Sequence, residues 1–355
     1  MDIKDLREQI DATDGEIVRL LAQRLRIARE IGQQKEKIGK PVADKAREEA
    51  VQRNVKKLAT KHKLCREDVD RIYQQIISAC RQSEGVLVAF QGEVGAYGEE
   101  AAINFFGPTI EVKPCETFDE VFHLVERASA QFGIVPIENS LEGSINRVYD
   151  LLLSSTLQVQ GEIELRISHC LIGHPGANLG TIKKVYSHPQ ALAQSQSFLK
   201  HLNTEIVPAY DTAGSVKMIK EKALVDSAAV ASARAAEIYG MEIISREIED
   251  NPNNFTRFFA LARDDSPPTG KDKTSIVFSV KHRPGSLYDA LREFADRKIN
   301  LLKIESRPTR QKVWEYNFYL DFEGHRQDKI SQEALKNLEN HSLFVKVLGS
   351  YPRSK

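Results

Sequence analysis

The sequence is poor in the residue types that hold small secreted folds and metal centres together. It contains 4 cysteines, 3 methionines and 1 tryptophan among 355 residues. The cysteines (Cys65, Cys80, Cys115 and Cys170) are scattered, with no pair at metal-ligand spacing, and the 9 histidines form no HExxH-type pair. We therefore expect neither a disulfide framework nor a metal site.

The chain also lacks a net charge and a long apolar run. Lys+Arg and Asp+Glu each number 50, so no global field draws the chain to nucleic acid or to an anionic membrane. No run of about 18 apolar residues exists to span a bilayer, and the charged start does not resemble a signal peptide. We expect a cytoplasmic globular protein with two or three domains and neither nucleic acid nor membrane as a partner.

The first segment has a strong helical pattern. Residues 2–38 carry apolar side chains at helical spacing without a proline, which predicts one long helix that Gly39-Lys40-Pro41 ends. Two further helices are predicted over roughly 43–61 and 66–84, with Gly85 as a C-cap. One helix so much longer than its neighbours makes a poor monomer. We therefore expect intertwined dimerisation through these helices.

Basic side chains on the long helix lie too far apart for one small ligand. Arg7 and Arg24 are separated by about 25 Å along a helix axis. A symmetric antiparallel partner would bring its own Arg7 to the first chain's Arg24. Lys35 lies on nearly the same face as Arg24. From these residues alone, a merely solvated charged helix surface remains an alternative.

The order and spacing of these residues resemble the all-helical chorismate mutase domain. The resemblance implies rearrangement of chorismate to prephenate in a dimer whose two sites each take Arg7 from the partner, with arginines holding the carboxylates. It implies that Lys35 and a protonated Glu84 donate to the breaking ether oxygen. Relatives often carry Ser at Cys80 and Gln at Glu84, so mutase turnover is expected to rise toward acidic pH. The site residues implied are Arg7, Arg24, Lys35, Asp44, Arg47, Glu48, Cys80 and Glu84.

Beyond Gly85 the hydrophobic period shortens, and strand-like runs alternate with helices, which predicts α/β lobes. A Gly-rich turn at 92–98 leads into a helix near Glu99. Strand-like runs lie at 86–90, 132–137, 163–172 and 183–187, and a further strand begins within Asn253–Phe258.

Polar clusters lie at the ends of several of these strands, where open α/β sheets bind ligands. Each cluster also has a plain structural interpretation as a turn, an N-cap or a surface strand residue. His188 precedes a proline, which is more typical of a turn residue, and it is left out. The candidate site residues are Glu138, Asn139, Ser187, Gln194, Thr256 and Arg257.

Taken in order, these clusters resemble prephenate dehydratase over about residues 86–263. The resemblance implies a two-lobed fold similar to periplasmic binding proteins, whose cleft converts prephenate to phenylpyruvate by loss of CO2 and water. It implies that Thr256 hydrogen-bonds the departing hydroxyl and that Arg257 pairs a carboxylate. Glu138 is a candidate proton donor if burial raises its pKa. Relatives often carry Ser at Gly98. The residues implied to orient the substrate are Asn139, Ser187 and Gln194.

The C-terminal part follows a linker-like stretch at 264–273. Its pattern predicts a ferredoxin-like βαββαβ order. Two segments resemble the phenylalanine-binding segments of the ACT domain, which implies feedback inhibition by phenylalanine. Relatives have a small apolar residue at Ser286. The two segments are Pro284, Gly285, Ser286 and Leu287, and Glu305, Ser306, Arg307 and Pro308.

The whole chain resembles the bifunctional chorismate mutase/prephenate dehydratase family. The resemblance implies all-α mutase helices (1–85), an α/β two-lobed dehydratase (86–263), a linker (264–273) and a ferredoxin-like α+β ACT domain (274–355). It implies an isomerase and lyase that acts on chorismate and prephenate, responds to phenylalanine and uses no cofactor, as a homodimer or a higher oligomer. Two alternatives stay open: a dehydratase with a decayed mutase, and a non-catalytic amino-acid-sensing binding protein.

Overall fold

The computed structural model describes residues 2–37, 45–83, 86–108, 110–309 and 315–353, without the side chains of 29, 32–37, 45–50, 52 and 78–83. The described chain forms two compact units. One comprises Met1–Leu87 with Phe106–Glu111, and the other comprises Val88–Phe105 with Val112–Lys355. No described helix is both long enough and apolar enough to cross a bilayer.

The first unit contains the three predicted helices, which confirms the all-α assignment. The first helix packs on the third, and the third packs on the second. The first helix has 35 residues and the others 17 and 18, so at about 1.5 Å per residue it extends well beyond them. The helices are α1 (Ile3–Lys37), α2 (Lys45–Lys61) and α3 (Arg66–Ser83). Exposed apolar side chains of α1 are Ile3, Leu6, Ile10, Ile17, Val18, Leu20, Ile27 and Ile31.

The first lobe of the second unit is a mixed sheet with helices packed against it. Its order is β2-β1-β3-β11-β5, with β4 paired to β3. Strand β11 runs antiparallel to β3 and β5, whereas β1 and β3 are parallel. The strands are β1 (Leu87–Gln91), β2 (Glu111–Cys115), β3 (Phe132–Asn139), β4 (Gly143–Ser144), β5 (Gln158–Arg166) and β11 (Phe255–Ala262), and the helices are α4 (Tyr97–Phe106), α5 (Phe118–Glu126) and α6 (Asn146–Ser154).

The second lobe is a five-stranded sheet in the order β10-β6-β9-β7-β8. Its core is aliphatic, with Leu171, Val185 and Val230 fully buried. The strands are β6 (Cys170–Gly173), β7 (Lys184–Ser187), β8 (Glu205–Pro208), β9 (Ser227–Ala231) and β10 (Glu242–Ser245), and the helices are α7 (Pro189–Gln194), α8 (Gln196–Lys200), α9 (Thr212–Glu221) and α10 (Ala233–Tyr239).

The chain crosses between the lobes twice, at residues 167–169 and 246–254, which together form the hinge. The single strand predicted at 163–172 is therefore wrong, because β5 and β6 are separate strands in different sheets. The two crossings pair with each other at the interruption. Ile167 N donates to Asn254 O, and Ile248 N donates to His169 O.

The C-terminal part has the predicted βαββαβ order, which confirms the ferredoxin-like assignment. Its sheet order is β13-β14-β12-β15, and its two helices bury a core that includes Phe278, Phe294 and Phe322. Asp272 and Lys273, predicted as linker, are buried members of β12. The elements are β12 (Asp272–Val280), α11 (Ser286–Ala295), β13 (Leu301–Pro308), β14 (Tyr316–Glu323), α12 (Lys329–His341) and β15 (Ser342–Pro352).

This C-terminal part packs on the first lobe. Strand β15 lies against β5, where Gly349 meets the Val159 backbone so closely that a Cβ would collide with it. The rings of Phe259 and Tyr351 make an edge contact, with centroids 5.7 Å apart. The C-terminal sheet therefore rests directly on the strands that build the first lobe.

Candidate functional site

A cavity of about 650 Å³ lies in the second unit and is lined by residues of both lobes. This volume is in the range of ligand pockets for small molecules. Its walls combine apolar surface with hydroxyl, amide, imidazole and carboxyl groups. The polar lining residues include Gln91, Tyr97, Glu116, Thr117, Asp119, Asn139, Arg147, His169, His188, Gln190, Gln194, Tyr210, Asp211, Thr212 and Thr256.

The cavity has features that favour an anion. Four helices of at least 9 residues (α4, α5, α6 and α9) contribute lining residues at or beside their first turn. Helix N-termini carry partial positive charge and unpaired backbone N–H groups. Arg147 adds a cation, which pairs with Asp119 through a 3.0 Å contact from Nε to Oδ2. The same wall also contains the carboxyl groups of Glu116, Asp119 and Asp211, so cationic and acidic groups are mixed in the cavity.

Thr256 and Asn139 form the polar centre of the first-lobe wall. They are paired across β11 and β3, and Thr256 is only 7% exposed. Asn139 Oδ1 accepts from the backbone N–H groups of Leu141 and Glu142, at 3.0 Å each. Asn139 Nδ2 therefore donates to Thr256 Oγ1 at 3.0 Å and to Asn254 Oδ1 at 2.7 Å. Since Thr256 accepts from Asn139, its own proton can be donated into the cavity.

The hydrogen bonds continue from Asn254 across the hinge to the second lobe. Asn254 Nδ2 donates to Gln194 Oε1 at 2.9 Å, and His169 Nε2 lies 3.0 Å from the same oxygen. His169 Nδ1 lies 2.9 Å from the Tyr97 hydroxyl, which is also 2.7 Å from Ser168 O. One chain of side chains thus runs from Thr256 to Tyr97.

Burial sets the protonation of this chain. His169 is 2% exposed, and burial lowers its pKa, although the hydrogen bond to Gln194 and the charge of Glu249 oppose the shift. Burial also raises the pKa of Tyr97. Both side chains are therefore neutral near pH 7, so the hydrogen-bonded row of side chains from Thr256 to Tyr97 contains no charged group.

Glu138 and Arg257, two predicted site residues, are not brought to the cavity. Successive side chains of a strand point to opposite faces, so they lie on the far face from Asn139 and Thr256. Arg257 Nη2 lies 3.1 Å from Glu138 Oε2, and its Nη1 lies 2.8 Å from Asp321 Oδ2. This corrects the expectation that Arg257 pairs a substrate carboxylate and that Glu138 supplies a proton there.

Arg257 instead belongs to an interface ion cluster, formed by Glu138, Glu162, Arg257, Lys273, Lys303 and Asp321. Its members come from the first lobe and from the C-terminal sheet, with three acidic and three basic side chains. Glu162 Oε2 lies 2.8 Å from Lys273 Nζ, and Glu138 Oε2 lies 2.5 Å from Lys303 Nζ. Burial disfavours the charged form of Arg257, but Asp321 and its neighbours outweigh this and raise its pKa.

Ser187 is also absent from the cavity wall. Its side chain is 0% exposed, and its Oγ donates to Val230 O at 2.6 Å. The next residue, His188, lines the cavity and accepts from Gln190 N as the N-cap of α7. Setting His188 aside was therefore wrong with respect to position, because the strand ends between these two residues and the chain turns into the cleft. Of the six predicted dehydratase residues, the cavity is lined by Asn139, Gln194 and Thr256.

The predicted mutase residues are only partly covered by the structure. Arg7 is exposed and Arg24 half-buried on α1. Asp44 and Glu84 lie outside the residues that the structure describes. The backbone is described, without the side chain, for Lys35, Arg47, Glu48 and Cys80.

The two predicted phenylalanine segments do not line one cavity. Ser286 and Leu287 line a cavity of about 140 Å³ near the start of α11. Pro284 and Gly285 form the turn before it, and Gly285 has a φ of 86°, which favours glycine. The other segment faces the first lobe through two side chains, whereas Ser306 and Pro308 are exposed. Glu305 bonds Ser144, and Arg307 bonds Asn146 and Asp150.

Sequence reasoning missed Tyr97, Arg147 and His169 at the cavity. A signal for His169 was present, since Ser168 and His169 interrupt an otherwise strand-like run at the point where the chain crosses lobes. Tyr97 belongs to the Gly-rich turn at 92–98, which was recognised as a segment but not as a site residue, and Arg147 carried no comparable signal, because it lies in an ordinary amphipathic helix start. No group of three or more described His, Cys, Asp or Glu residues is arranged to hold a metal ion.

Three family models match the chain in succession. Chorismate mutase type II matches residues 6–85, prephenate dehydratase matches 88–266, and the ACT domain matches 274–340. A bifunctional chorismate mutase/prephenate dehydratase of Aquifex aeolicus is 40% identical over 359 residues, which covers 99% of this chain and 98% of the relative.

Two further relatives match the dehydratase and ACT parts. Arogenate dehydratase/prephenate dehydratase 2 of Arabidopsis thaliana is 46% identical over 289 residues, covering 78% of this chain and 76% of that protein. The crystal structure of prephenate dehydratase from Arthrobacter aurescens in complex with L-Phe is similar, with a TM-score of 0.69 and 32% identity, and covers 76% of this chain and 90% of that chain.

Proposed function

Since the chain belongs to the bifunctional chorismate mutase/prephenate dehydratase family, we propose which of its residues carry out each reaction. The enzyme converts chorismate to prephenate and prephenate to phenylpyruvate in phenylalanine biosynthesis, under control of its ACT domain. The family model of the mutase covers 6–85, which favours an active mutase over a decayed one. The boundaries proposed are 1–85 for the mutase, 86–263 for the dehydratase, 264–271 for the linker, and 272–355 for the ACT domain, whose first strand begins at Asp272.

The dehydratase reaction takes place in the cavity between the lobes. The ring carboxylate of prephenate leaves as CO2, and the electron pair of the broken C–C bond aromatises the ring. The C–O bond electrons then leave with the hydroxyl, which becomes water after protonation. Thr256 donates a hydrogen bond to that departing oxygen, where negative charge develops. The observation that carries this role is the Asn139-to-Thr256 bond, which keeps the Thr256 proton available.

The remaining groups of the cavity bind the dianion. Arg147 pairs one carboxylate, and the helix N-termini of α4, α5 and α9 favour the other. Gln194 orients the substrate from the second lobe. Asn139 positions Thr256 and does not itself donate to the departing hydroxyl.

Substitution of Thr256 tests the dehydratase assignment. Thr256→Ala removes the donor and should lower dehydratase kcat by about 100-fold or more, as loss of one oxyanion-type donor does. Thr256→Ser, the matched control, keeps the hydroxyl and should retain most turnover. Mutase turnover, measured as chorismate loss in the same preparation, should stay nearly unchanged. If both activities fall together, the separate-site assignment is wrong.

The mutase reaction takes place in the helical unit, where we infer a shared dimeric site. Eight large apolar side chains along α1 are exposed in the single chain, and a second copy packed antiparallel would cover them. Each site then combines Arg24, Lys35 and Arg47 of one chain with Arg7 of the partner. Lys35 and protonated Glu84 donate to the ether oxygen. The remaining proposed contributors are Asp44, Glu48 and Cys80.

Phenylalanine acts through the ACT domain. The segment Pro284–Leu287 borders the small cavity at the start of α11 and is proposed to contact the amino acid. Glu305 and Arg307 bond the first lobe beside α6, which carries the cavity residue Arg147. Their contacts give the effector a physical route to the dehydratase site. The coupling requires that phenylalanine favour one arrangement of these contacts over another.

A further inference from the structure

We propose that His169 and Tyr97 are positioning residues of the dehydratase reaction, which fix Gln194 so that its amide N–H groups donate into the cavity. The inference rests on the proposed function of that cavity. A row of hydrogen-bonded side chains begins at backbone N–H groups and ends at the cleft. The direction of each hydrogen bond is set by which of its two atoms is able to donate.

The hydrogen bonds of the Asn139 side chain can be arranged in only one direction. Backbone N–H groups donate and never accept, so Asn139 Oδ1 must be the atom facing Leu141 and Glu142. Asn139 Nδ2 then faces Asn254, whose Oδ1 accepts at 2.7 Å. Asn254 is 0% exposed, and its remaining amide group, Nδ2, faces Gln194. The amide nitrogen of Asn254 is therefore the donor to Gln194.

The hydrogen bond to Gln194 fixes the tautomer of His169. Gln194 Oε1 accepts from Asn254 Nδ2, so it is also the acceptor toward His169, and His169 Nε2 carries a proton. In the neutral ring Nδ1 is then an acceptor, and it faces the Tyr97 hydroxyl 2.9 Å away. That hydroxyl has one proton, and Ser168 O, at 2.7 Å, accepts it as well as Nδ1 can.

Gln194 is held by two hydrogen bonds, one from Asn254 and one from His169. Both use its carbonyl oxygen, and its side chain lines the cavity, so its two amide N–H donors are left for a ligand. Each of these N–H groups can donate one hydrogen bond to a carboxylate or hydroxyl oxygen of the ligand. Gln194 belongs to the second lobe and Thr256 to the first, whereas Asn254 and His169 lie in the hinge. The chain therefore fixes donors on both sides of the cleft relative to each other.

The same geometry argues against His169 as the proton donor of the reaction. Its Nε2 proton is committed to the Gln194 carbonyl oxygen, and its Nδ1 faces Tyr97. Neither nitrogen is directed at a ligand. The ring acts through Gln194, and a group that supplies the same N–H at the same place should replace it.

Two substitutions separate positioning from proton transfer. His169→Gln keeps an N–H donor near the Nε2 position but cannot titrate, whereas His169→Leu removes the donor. We expect His169→Leu to raise KM for prephenate about tenfold or more. We expect His169→Gln to stay within about threefold of wild-type kcat and KM. Mutase turnover should be unchanged in both, because the mutase residues belong to the other compact unit.

The opposite pattern would overturn the proposal. If the Gln variant raises KM as severely as the Leu variant, or loses kcat, an N–H donor at this place does not account for the role of the ring, and the positioning proposal is wrong. If both variants have wild-type kinetics, the ring has no role. His201→Leu, at a histidine outside the cavity wall, is the matched control and should have wild-type kinetics. A failure of the proposed function itself is recognised separately, since Thr256→Ala would then retain dehydratase turnover.

The tautomer gives a second measurement that a structural role alone would not predict. In uniformly 15N-labelled protein the ring nitrogens of His169, assigned by their loss in His169→Gln, should have the shifts of a neutral Nε2–H imidazole at pH 7.5. Tyr97→Phe removes the hydroxyl that faces Nδ1 and should shift the resonance of that nitrogen. A Nδ1–H tautomer in the wild type would contradict the polarity on which the proposal depends.

Discussion

At the residue scale, the chemistry of this protein depends on which end of an amide faces which neighbour. Asn139 uses its oxygen for two backbone N–H groups and its nitrogen for Thr256 and Asn254. A side chain with two acceptors and no donor would reverse the bond to Thr256. The threonine proton would then be directed into the protein and lost to the substrate.

Asn139→Asp tests this polarity with almost no change in shape. The carboxylate still accepts from Leu141 and Glu142, but Thr256 must now donate to it, so dehydratase kcat should fall about 100-fold or more. The dehydratase and mutase rates are measured on the same preparation, and the mutase rate should equal that of the wild type. Asn253→Asp, an exposed neighbour with the same chemical change, is the control. Dehydratase turnover near the wild-type value in Asn139→Asp would contradict the assigned donor.

Titration of His169 should make the stability of the protein depend on pH. Its pKa is lowered by burial, so below the ordinary value of about 6.5 the unfolded chain binds more protons than the folded one. The free energy of unfolding should therefore be greatest above pH 6.5 and decrease as the pH falls toward the folded pKa. Urea denaturation between pH 5 and 8 measures the slope. His169→Gln should flatten it, whereas His62→Gln, at an exposed imidazole, should leave it unchanged.

At the scale of elements, side chains along β11 and β3 point alternately to the two faces of the sheet, and each face has a different role. Asn139 and Thr256 face the cavity, whereas their chain neighbours Glu138 and Arg257 face the C-terminal sheet. This alternation was available from the sequence once the strands were recognised. Assigning both members of each pair to the substrate conflicts with strand geometry, because adjacent side chains cannot share one face.

Gly349 tests how closely the C-terminal sheet rests on the first lobe. A Cβ at this position would collide with the backbone of Val159, which cannot move without distorting β5. Gly349→Ala should therefore lower the free energy of unfolding by about 1–3 kcal/mol, the cost of overpacking. Thermal or urea unfolding measures it. Gly15→Ala is the control, because a Cβ at this position of α1 meets no other atom, and the free energy of unfolding should stay the same or rise. Gly270→Ala is unsuitable as a control, because the positive φ of Gly270 would strain an alanine.

At the scale of the whole molecule, the interface ion cluster joins the ACT sheet to the strands that carry the cavity residues. Arg257 is adjacent in sequence to Thr256 and bonds Asp321 of the ACT sheet, and Glu138 is adjacent to Asn139 and bonds Lys303. A shift of the ACT sheet against the first lobe would change the partners of both. The two residues that build the polar centre of the cavity would move with them.

Lys303→Met tests this connection. The substitution removes the contacts to Glu138 and to the Tyr149 hydroxyl, at 2.5 and 2.7 Å, while keeping an unbranched side chain. We expect the phenylalanine concentration for half inhibition to rise about fivefold or more, within the usual range of allosteric coupling, with uninhibited turnover near wild type. Lys336→Met, at an exposed site on α12, is the control. Unchanged inhibition in Lys303→Met would exclude this route.

Mixing two inactive mutase variants tests the proposed dimer. Arg7→Ala and Arg24→Ala should each lose mutase turnover, because each removes one cation from every site. In a mixed dimer one site has both arginines and the other has neither. Random exchange of equal amounts should therefore restore about a quarter of the wild-type activity. If no activity returns after subunit exchange is shown by mass, the site does not use Arg7 of a partner.

The sequence by itself determined the order of the three parts, the long first helix, the βαββαβ pattern and three residues of the cavity wall, Asn139, Gln194 and Thr256. Local period and turn chemistry suffice for the helices and strands, since these depend on neighbours within a few residues, whereas the three cavity residues followed from the resemblance to prephenate dehydratase. Only the tertiary structure decided that Ser187 is buried, that Arg257 belongs to the interface ion cluster, and that Tyr97 and His169 support Gln194. Each of these depends on segments 25 to 72 residues apart meeting in the fold, and no local pattern specifies which atoms will meet there.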